Sequence, residues 1–483
     1  MRKQFQRIIC IAVIALTLSG CQQAPEKDVI VSKNDGTFDA TKANSAVETH
    51  APDEVQIVAV DDVFFSTDGS VEFQMKFEET VSMVDMPIVR VEPHPLTVQD
   101  AKNVAYALFG DNTFYEVEPS DAPVYSKDEI QKKLLRWAPF GGSDGIAGEF
   151  IADVVDKFII EYTLLLETAP IENPHKPCEW AYKSETYYYY SEAVASTMNT
   201  DDDNDQIRAK TTEGDIPYLY TVSTRNKSDF KLNNIYARPY DGSSPATIDY
   251  SIFRSELCRT NKPDEETLTE LKEKAALLLE QMNLGDWQID ECYVEEVYNN
   301  DIAEYIVHIN AVPVFRGVAA LRRPQLNNLT SNEAYASNYY LTNATFQFSA
   351  NGDLVYFELY SPVDVKDVVN PNVSMLSMDE LIARAEEYFV HSDYYEYGFG
   401  DVIDIVDEDL SCTVNVDSIK YGLTRVKVPN AADSFYYLPA VSFEGNAVYY
   451  GVDSGNTYYS GDESNTLLIL NAVDGSVINI TNE

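Results

Sequence analysis

The sequence predicts an α+β fold: an N-terminal domain of mixed helices and antiparallel sheet, then two modules that each lay one helix on an antiparallel sheet. Three observations predict it. Val71, Phe73, Met75 and Phe77 alternate with polar residues, the period of a strand with one buried face. Other stretches place apolar residues at helical spacing behind a capping residue. Toward the C-terminus the order helix, strands, glycine-turned hairpin occurs twice, and a helix on an antiparallel sheet is the unit that buries both apolar surfaces.

The chain opens with basic residues Arg2, Lys3 and Arg7, and continues with an apolar, uncharged run from Ile8 to Leu18. That run falls short of the ~20 residues a membrane-spanning helix needs. A basic start, an apolar core and small residues before a cut define a secretory signal, here residues 1–20. Leu18-Ser19-Gly20-Cys21 resembles the lipobox of bacterial lipoproteins. The resemblance implies a lipid on the Cys21 thiol, cleavage before Cys21, and a protein held by that lipid at the extracytoplasmic face of the bacterial cell membrane. The competing reading is an ordinary signal with a chance cysteine. Residues 21–54 are polar, without apolar periodicity, and read as a flexible tether with a reach of ~30 Å.

The N-terminal domain spans 55–260. After the Val71–Phe77 strand, Val81–Val91 reads as a second, which Pro87 confines to an edge or a bulge. Thr97 caps a helix with the inward stripe Ala101, Val104, Ala105 and Leu108, and Gly110 ends it. Ser126 and Glu129 form a capping box for the next helix. Beyond a glycine-rich loop, Phe150, Val154, Phe158 and Tyr162 share one helical face. Tyr187–Tyr190, Gln206–Thr212, Ile216–Thr224 and Phe230–Arg238 read as strands.

The polar run Asn261–Asp264 opens the first module, 261–365. Its helix carries Leu268, Leu271, Ala275, Leu278 and Met282, with Gly285 at the end. The second module, 366–483, starts its helix with the capping pair Ser377 and Glu380, and its stripe is Leu381, Ala385, Tyr388 and Phe389. Val312–Gly317 lies in one copy and Leu438–Gly445 in the other. The closing hairpins turn at Asn351-Gly352 and Asp474-Gly475, pairs suited to a turn with positive φ at both central residues. This order, ending in the "NAVDGSVI" hairpin, resembles small extracytoplasmic modules of the PepSY and YycI-like kind, which modulate partners at the cell surface and are not catalytic. From the lipobox through "VEPHPLTVQDAKNVAYALFGD" to the last hairpin, the chain also resembles an uncharacterised family of lipoproteins from Gram-positive gut bacteria, which lends no activity.

The 483 residues suffice for several domains, and a hydrophobic content of 45% supports packed cores. The formal charge of -44 grows more negative once Arg2, Lys3 and Arg7 leave with the signal. Such acidity excludes nucleic acid, whose phosphates need a basic footprint. It leaves the lipid on Cys21 as the contact with the membrane. Thirty-three tyrosines suit half-buried strands, or else recognition of sugars or peptides by exposed rings. Cys10 departs with the signal, leaving Cys178, Cys258, Cys292 and Cys412 as buried thiols or as disulfides. No C-x-x-C occurs, so zinc has no support.

No constellation of residues carries chemistry in the sequence, and no catalytic, cofactor-binding or metal-binding residue is assigned. Gly141-Gly142-Ser143-Asp144-Gly145 matches G-x-S-x-G, but a helix precedes it where a nucleophile elbow needs a strand. Ser228-Asp229-Phe230-Lys231 matches S-x-x-K on a strand, without the partner motifs of penicillin-binding enzymes. Asp201–Asp205 reads as an acidic turn: counted as an EF-hand, the sixth and twelfth positions hold Gln206 and Thr212 in place of glycine and glutamate. His175 and Cys178 are too few for a metal, and a Cys–His nucleophile pair stays open. The expected function is non-enzymatic binding or regulation of an envelope partner, whether protein, peptide or glycan. The alternative is an extracellular hydrolase of envelope or dietary polysaccharide, with a carboxylate pair that 79 acids cannot single out.

Overall fold

A computed structural model describes residues 40, 43–45, 55–82, 86–117, 125–141, 149–172, 175–184, 203–211, 216–227, 230–240, 246–299, 302–322, 342–391, 410–429, 431, 433–460 and 465–478. It is α+β, built on two mainly antiparallel sheets. Cys21, His50, Tyr187–Tyr190, Ser143, Asp201 and the pair Ser228-Asp229 lie outside the described residues.

The larger sheet takes strands from the middle of the chain. They are β4 (Tyr115–Glu116), β5 (Lys183–Ser184), β6 (Asp203–Thr211), β7 (Tyr218–Lys227), β8 (Phe230–Pro239), β9 (Trp287–Asn299), β10 (Ile302–Phe315), β11 (Val318–Ala319), β12 (Asn343–Ser349) and β13 (Leu354–Tyr360). Their order is β11-β10-β12-β13-β8-β7-β6-β4, with β9 on β10 and β5 on β6. Two helices cover its apolar face: α1 (Val98–Phe109), through Ala101, Val104 and Ala105, and α5 (Glu265–Met282), through Leu271, Ala275, Leu279 and Met282. The cap of α1 forms as its sequence predicts, with Thr97 and Asp100 reciprocally bonded. Ser126 and Glu129 do the same for α2 (Lys127–Trp137), which packs with α3 (Glu149–Thr168) around Trp137 and Tyr162.

The smaller sheet joins the two ends of the chain. Its path is β1 (Val55–Phe65), β2 (Val71–Ser82), β15 (Leu410–Lys427), β16 (Phe435–Gly451), β3 (Ile88–Pro93) and β14 (Val363–Asn370), with β17 (Thr457–Ser460) and β18 (Asn465–Asn471) also on β16. The pair β2–β15 is parallel. Helix α6 (Met378–His391) covers this sheet with Leu381, Ala385 and Phe389.

The sheets therefore divide the chain differently from the linear boundaries at 260 and 365. Within 55–260, β1 pairs with β2, β2 and β3 pair with strands of the last module, and β4 to β8 extend the sheet of the first. Alternation shows which residues face a core, but not which distant strand supplies the other wall. Some residues of the span 21–54, read from sequence as a tether, are packed on the fold. Ala40 is buried in a core with Leu438 and Ile469, Ser45 bridges Val373, and the Ser374 amide donates to the Asn44 carbonyl at 2.8 Å.

Each module repeats one plan. In the first, a helix precedes the pair β9–β10 and the hairpin β12–β13; in the second, α6 precedes β15–β16 and β18. Ile306 opposes the last residue of β12 and Ala440 the last residue of β18, so Asn310–Thr345 matches Glu444–Thr466. That register sets Pro313 near the end of its strand and Pro439 near the start of its own, so the two prolines do not correspond. The hairpin turns also depart from expectation. Only Gly352 and Gly475 take positive φ there, not Asn351 or Asp474. A turn with two positive φ values falls instead at Arg316-Gly317, between the paired residues Phe315 and Val318. Both hairpin glycines rest on the module helix: the Lys274 ammonium donates to the Gly352 carbonyl at 2.6 Å, and a Cβ on Gly475 would lie 3.3 Å from Arg384.

The sheets meet at β11. Leu321 donates to the Leu423 carbonyl at 2.7 Å, and Phe315 packs on Tyr437 with ring centroids 4.4 Å apart. Gly422 is required there, because a Cβ would come within 2.8 Å of the Ala319 carbonyl oxygen. His94 reinforces the junction, its Nδ1 at 2.7 Å from Asp364 and its Nε2 at 3.2 Å from Asp100. Burial pushes the Asp100 carboxyl up, but hydrogen bonds from Thr97 and His94 outweigh it and hold it below the usual carboxylate range.

Candidate functional site

The larger sheet has one oily face and one polar face. Opposed residues across antiparallel strands share a face, so the register draws the polar side directly. One row runs Arg208, Thr221, Tyr236, Glu358, Thr345, Asn310 and Glu291, over seven strands from β6 to β9. The next row runs Gln206, Ser223, Asn234, Tyr360 and Asn343. Flanking these, Tyr356 opposes Gln347 and His308 opposes Tyr293. The intervening residues, among them Ile207, Val222, Ile235, Phe357, Phe346 and Ile309, all point into the core under α1 and α5.

Helix α4 (Ala246–Cys258) closes one end of this face, where Leu257 and Cys258 pack on Ile306 and Val355. The sequence reading places no helix at 246–258. Beside it the buried Glu304 carboxylate sits between Arg254, at 3.4 Å, and Arg259, at 3.5 Å, with the Ser255 hydroxyl. At the other end, Gln206 and Arg208 line a cavity of about 60 Å³ with Glu116, Cys178, Trp180 and Lys183. Such a volume holds a few water molecules.

Glu358 is the centre of the face. Tyr356 donates to it at 2.7 Å, Tyr360 and Asn234 bond it as well, and Ser223 bonds Asn234. Burial pushes the Glu358 carboxyl up, against hydrogen bonds from Tyr356, Tyr360 and Asn234 that favour the carboxylate. Burial raises the Tyr356 phenol too. Farther along, His308 stacks on Tyr293 with centroids 4.7 Å apart and contacts Glu295 at 2.8 Å. Asn310 accepts from Thr345 at 3.0 Å and donates to Glu291 at 3.1 Å.

Buried atoms on this face without a hydrogen-bond partner among the described residues include Gln206 Oε1, Thr221 Oγ1, Arg238 Nε and Asn343 Oδ1. Thr221 is 0% exposed and Gln206 4%. Buried polar atoms are nearly always satisfied, so these atoms are exceptions among the described residues.

Replacing Glu358 with glutamine tests this environment. A carboxyl raised in the folded state adds stability below the ordinary value of 4.5 and loses it as pH rises through its folded value. Glu358→Gln is therefore expected to raise the melting temperature by about 1–3 °C at pH 7, with the gain vanishing below pH 4.5. A variant that melts lower at pH 7 than at pH 4, relative to the parent, would contradict the burial argument.

The candidates raised by sequence assemble differently. His175 contacts Glu129 at 2.8 Å, not Cys178, whose sulfur accepts from the Trp180 amide at 3.4 Å. Burial raises the Cys178 thiol, and it pushes Cys258 up to about 12 and Cys412 up to about 11. All three are held in the unreactive thiol form. Cys178, Cys258, Cys292 and Cys412 are all unpaired. Asp203 and Asp205, from the acidic run, lie within β6. No group of three or more His, Cys, Asp or Glu residues that could hold a metal occurs among the described residues. No described helix is long and apolar enough to cross a membrane.

No family model matches the chain, and no curated protein matches it. Among solved structures, it is similar to the crystal structure of an uncharacterised protein from Eubacterium rectale. The TM-score is 0.37 and the identity 10%, over 85% of this chain and 91% of that one.

The polar face was missed by sequence reasoning. Its signal was present as alternation, for instance Asn234-Ile235-Tyr236-Ala237-Arg238 and Tyr356-Phe357-Glu358-Leu359-Tyr360. Each run read only as a strand with one wet side.

Proposed function

We propose that this chain is a cell-surface lipoprotein, anchored by a lipid on Cys21, that binds an envelope partner without chemical turnover. The observation that carries the reading is the polar face of the larger sheet, where tyrosines, amides and hydroxyls stand in register around Glu358. The lipobox supplies the location. The repeated helix-on-sheet plan supplies a rigid support, since sites on strands are held more firmly than sites on loops.

The test is affinity capture from detergent-solubilised envelopes with the full chain as bait. A protein, peptide or glycan retained by the parent and lost with Tyr236→Ala supports the reading. An eluate identical to that of an unrelated lipoprotein refutes it.

One observation favours hydrolysis of envelope or dietary polysaccharide instead. The raised Glu358 carboxyl, beside two tyrosines, is what a general acid requires. A glycosidase also needs a second carboxylate at a set separation, and the groups that bond Glu358 are tyrosines and an asparagine. Release of reducing ends by the parent, abolished in Glu358→Gln, would establish the enzyme.

A further inference from the structure

We infer that strand β1 is the contact surface for a second copy of this chain, the two strands pairing antiparallel about Val60 and joining their smaller sheets into one. The inference goes beyond the binding reading above and does not depend on it.

The first ground is an open edge. β1 is eleven residues long and ends the path of the smaller sheet, with β2 on one side. No described strand pairs with its other side. Ile57 is 67% exposed, Val63 61% and Phe65 54%, so solvent reaches these side chains directly. An edge of unpaired backbone donors and acceptors is a template for another strand.

The second ground is what other edges carry and this one lacks. Native edges are guarded by lysines, prolines, bulges or charge. β14, at the far end of the same path, has Lys366 and two breaks in its register. β9, which borders the larger sheet, has Asp290, Glu291, Glu295 and Glu296. β1 pairs with β2 without a bulge and holds no lysine, arginine or proline; its charges are Asp61 and Asp62.

The third ground is the pattern along the strand. The exposed apolar residues of β1 have no apolar match on β2: Ile57 opposes Thr80, Val63 opposes Gln74 and Phe65 opposes Glu72. Opposed side chains on one face are what stabilises a sheet, so their match lies across the open edge. A two-fold axis at Val60 supplies it from β1 itself. All eleven residues then overlap, and Ile57 opposes Val63 of the second copy in two symmetric pairs. Asp61 opposes Ala59 and Asp62 opposes Val58, so no acid opposes an acid. The two Asp61 carboxylates come to diagonal positions, each already paired with its own Lys76 at 3.1 Å. Moving the axis to Asp61 would set that carboxylate against its own copy. A foreign strand would have to bring this complement with it, whereas β1 is its own.

The first test is oxidative cross-linking of cysteine variants of the full chain in intact envelopes. The parent is the baseline, since its own Cys178, Cys258, Cys292 and Cys412 are unpaired. Val60 is the residue that meets itself, and directly opposed residues stand about 5 Å apart at Cα, within disulfide reach. Val60→Cys is expected to give a species of twice the chain's mass. In Ile57→Cys the two thiols would lie about 20 Å apart along the strands, so cross-linking should stay at the parent's level.

Sedimentation of the full chain in detergent supplies the second test, with a dimer expected for the parent. Ile57→Lys with Val63→Lys sets lysine against lysine in both pairs and should weaken the dimer about tenfold. Ile57→Glu with Val63→Lys sets opposite charges in the same pairs and should recover it. Both alter exposed positions, so the circular dichroism of the chain should hold.

A parent that sediments as a monomer would overturn the inference. So would Val60→Cys that cross-links no more than Ile57→Cys, or a dimer indifferent to the lysine pair. A foreign envelope protein bound on β1 of a monomeric parent would refute the second copy as its occupant.

Discussion

Cys21→Ala is expected to abolish incorporation of labelled palmitate and to leave the protein without its lipid anchor. The effect is close to all-or-none. Each buried methylene contributes about 0.8 kcal/mol, one acyl chain holds a protein only marginally, and two hold it stably. The thiol of residue 21 is the sole attachment point that the lipobox offers. The described fold begins at Ala40, so the melting temperature of the soluble remainder should match that of the parent. Labelling of the variant equal to that of the parent would exclude a lipid on Cys21. So would a mature N-terminus elsewhere than Cys21.

What sequence could reveal follows from the range of the forces involved. Caps and stripes are local, and they appear where the residues place them. Thr97 with Asp100, Ser126 with Glu129, and Ser377 with Glu380 all form, the last with its carboxylate 2.9 Å from the Ser377 amide. The stripes of α5 and α6 correspond residue for residue, Leu271 to Leu381, Ala275 to Ala385 and Leu279 to Phe389. Sheet partnership is not local. Nothing in Val71–Phe77 states that its neighbour is the strand beginning at Leu410.

The same limit hid the candidate site. Glu358 and Asn234 are far apart in the chain, and they meet only because β13 pairs with β8. A lipobox at Leu18–Cys21 can be proposed from sequence alone because its pattern is carried by adjacent residues.

The interleaved topology makes a second strong prediction. Phe389 on α6 lies 5.2 Å from Phe73 on β2, 6.5 Å from Phe64 on β1 and 6.4 Å from Phe443 on β16. It is 0% exposed. Phe389→Ala removes the ring that joins the first hairpin of the chain to its last module, and should cost about 3–5 kcal/mol. The location of the damage discriminates between two organisations. Were 55–260 an independent unit, hydrogen exchange would quicken in α6, β15 and β16 and stay slow in β1 and β2. In the structure, β2 has β1 on one side and β15 on the other, so loss of the last module's core also strips its support. Exchange should therefore quicken together in β1, β2, β15 and β16, while β6 to β8, packed under α1 and α5, keep their protection. A chain ending at residue 365 should show the same loss in β1 and β2 without any substitution. Protection of β1 and β2 that survives either change would mean that the first hairpin draws its stability from the middle of the chain.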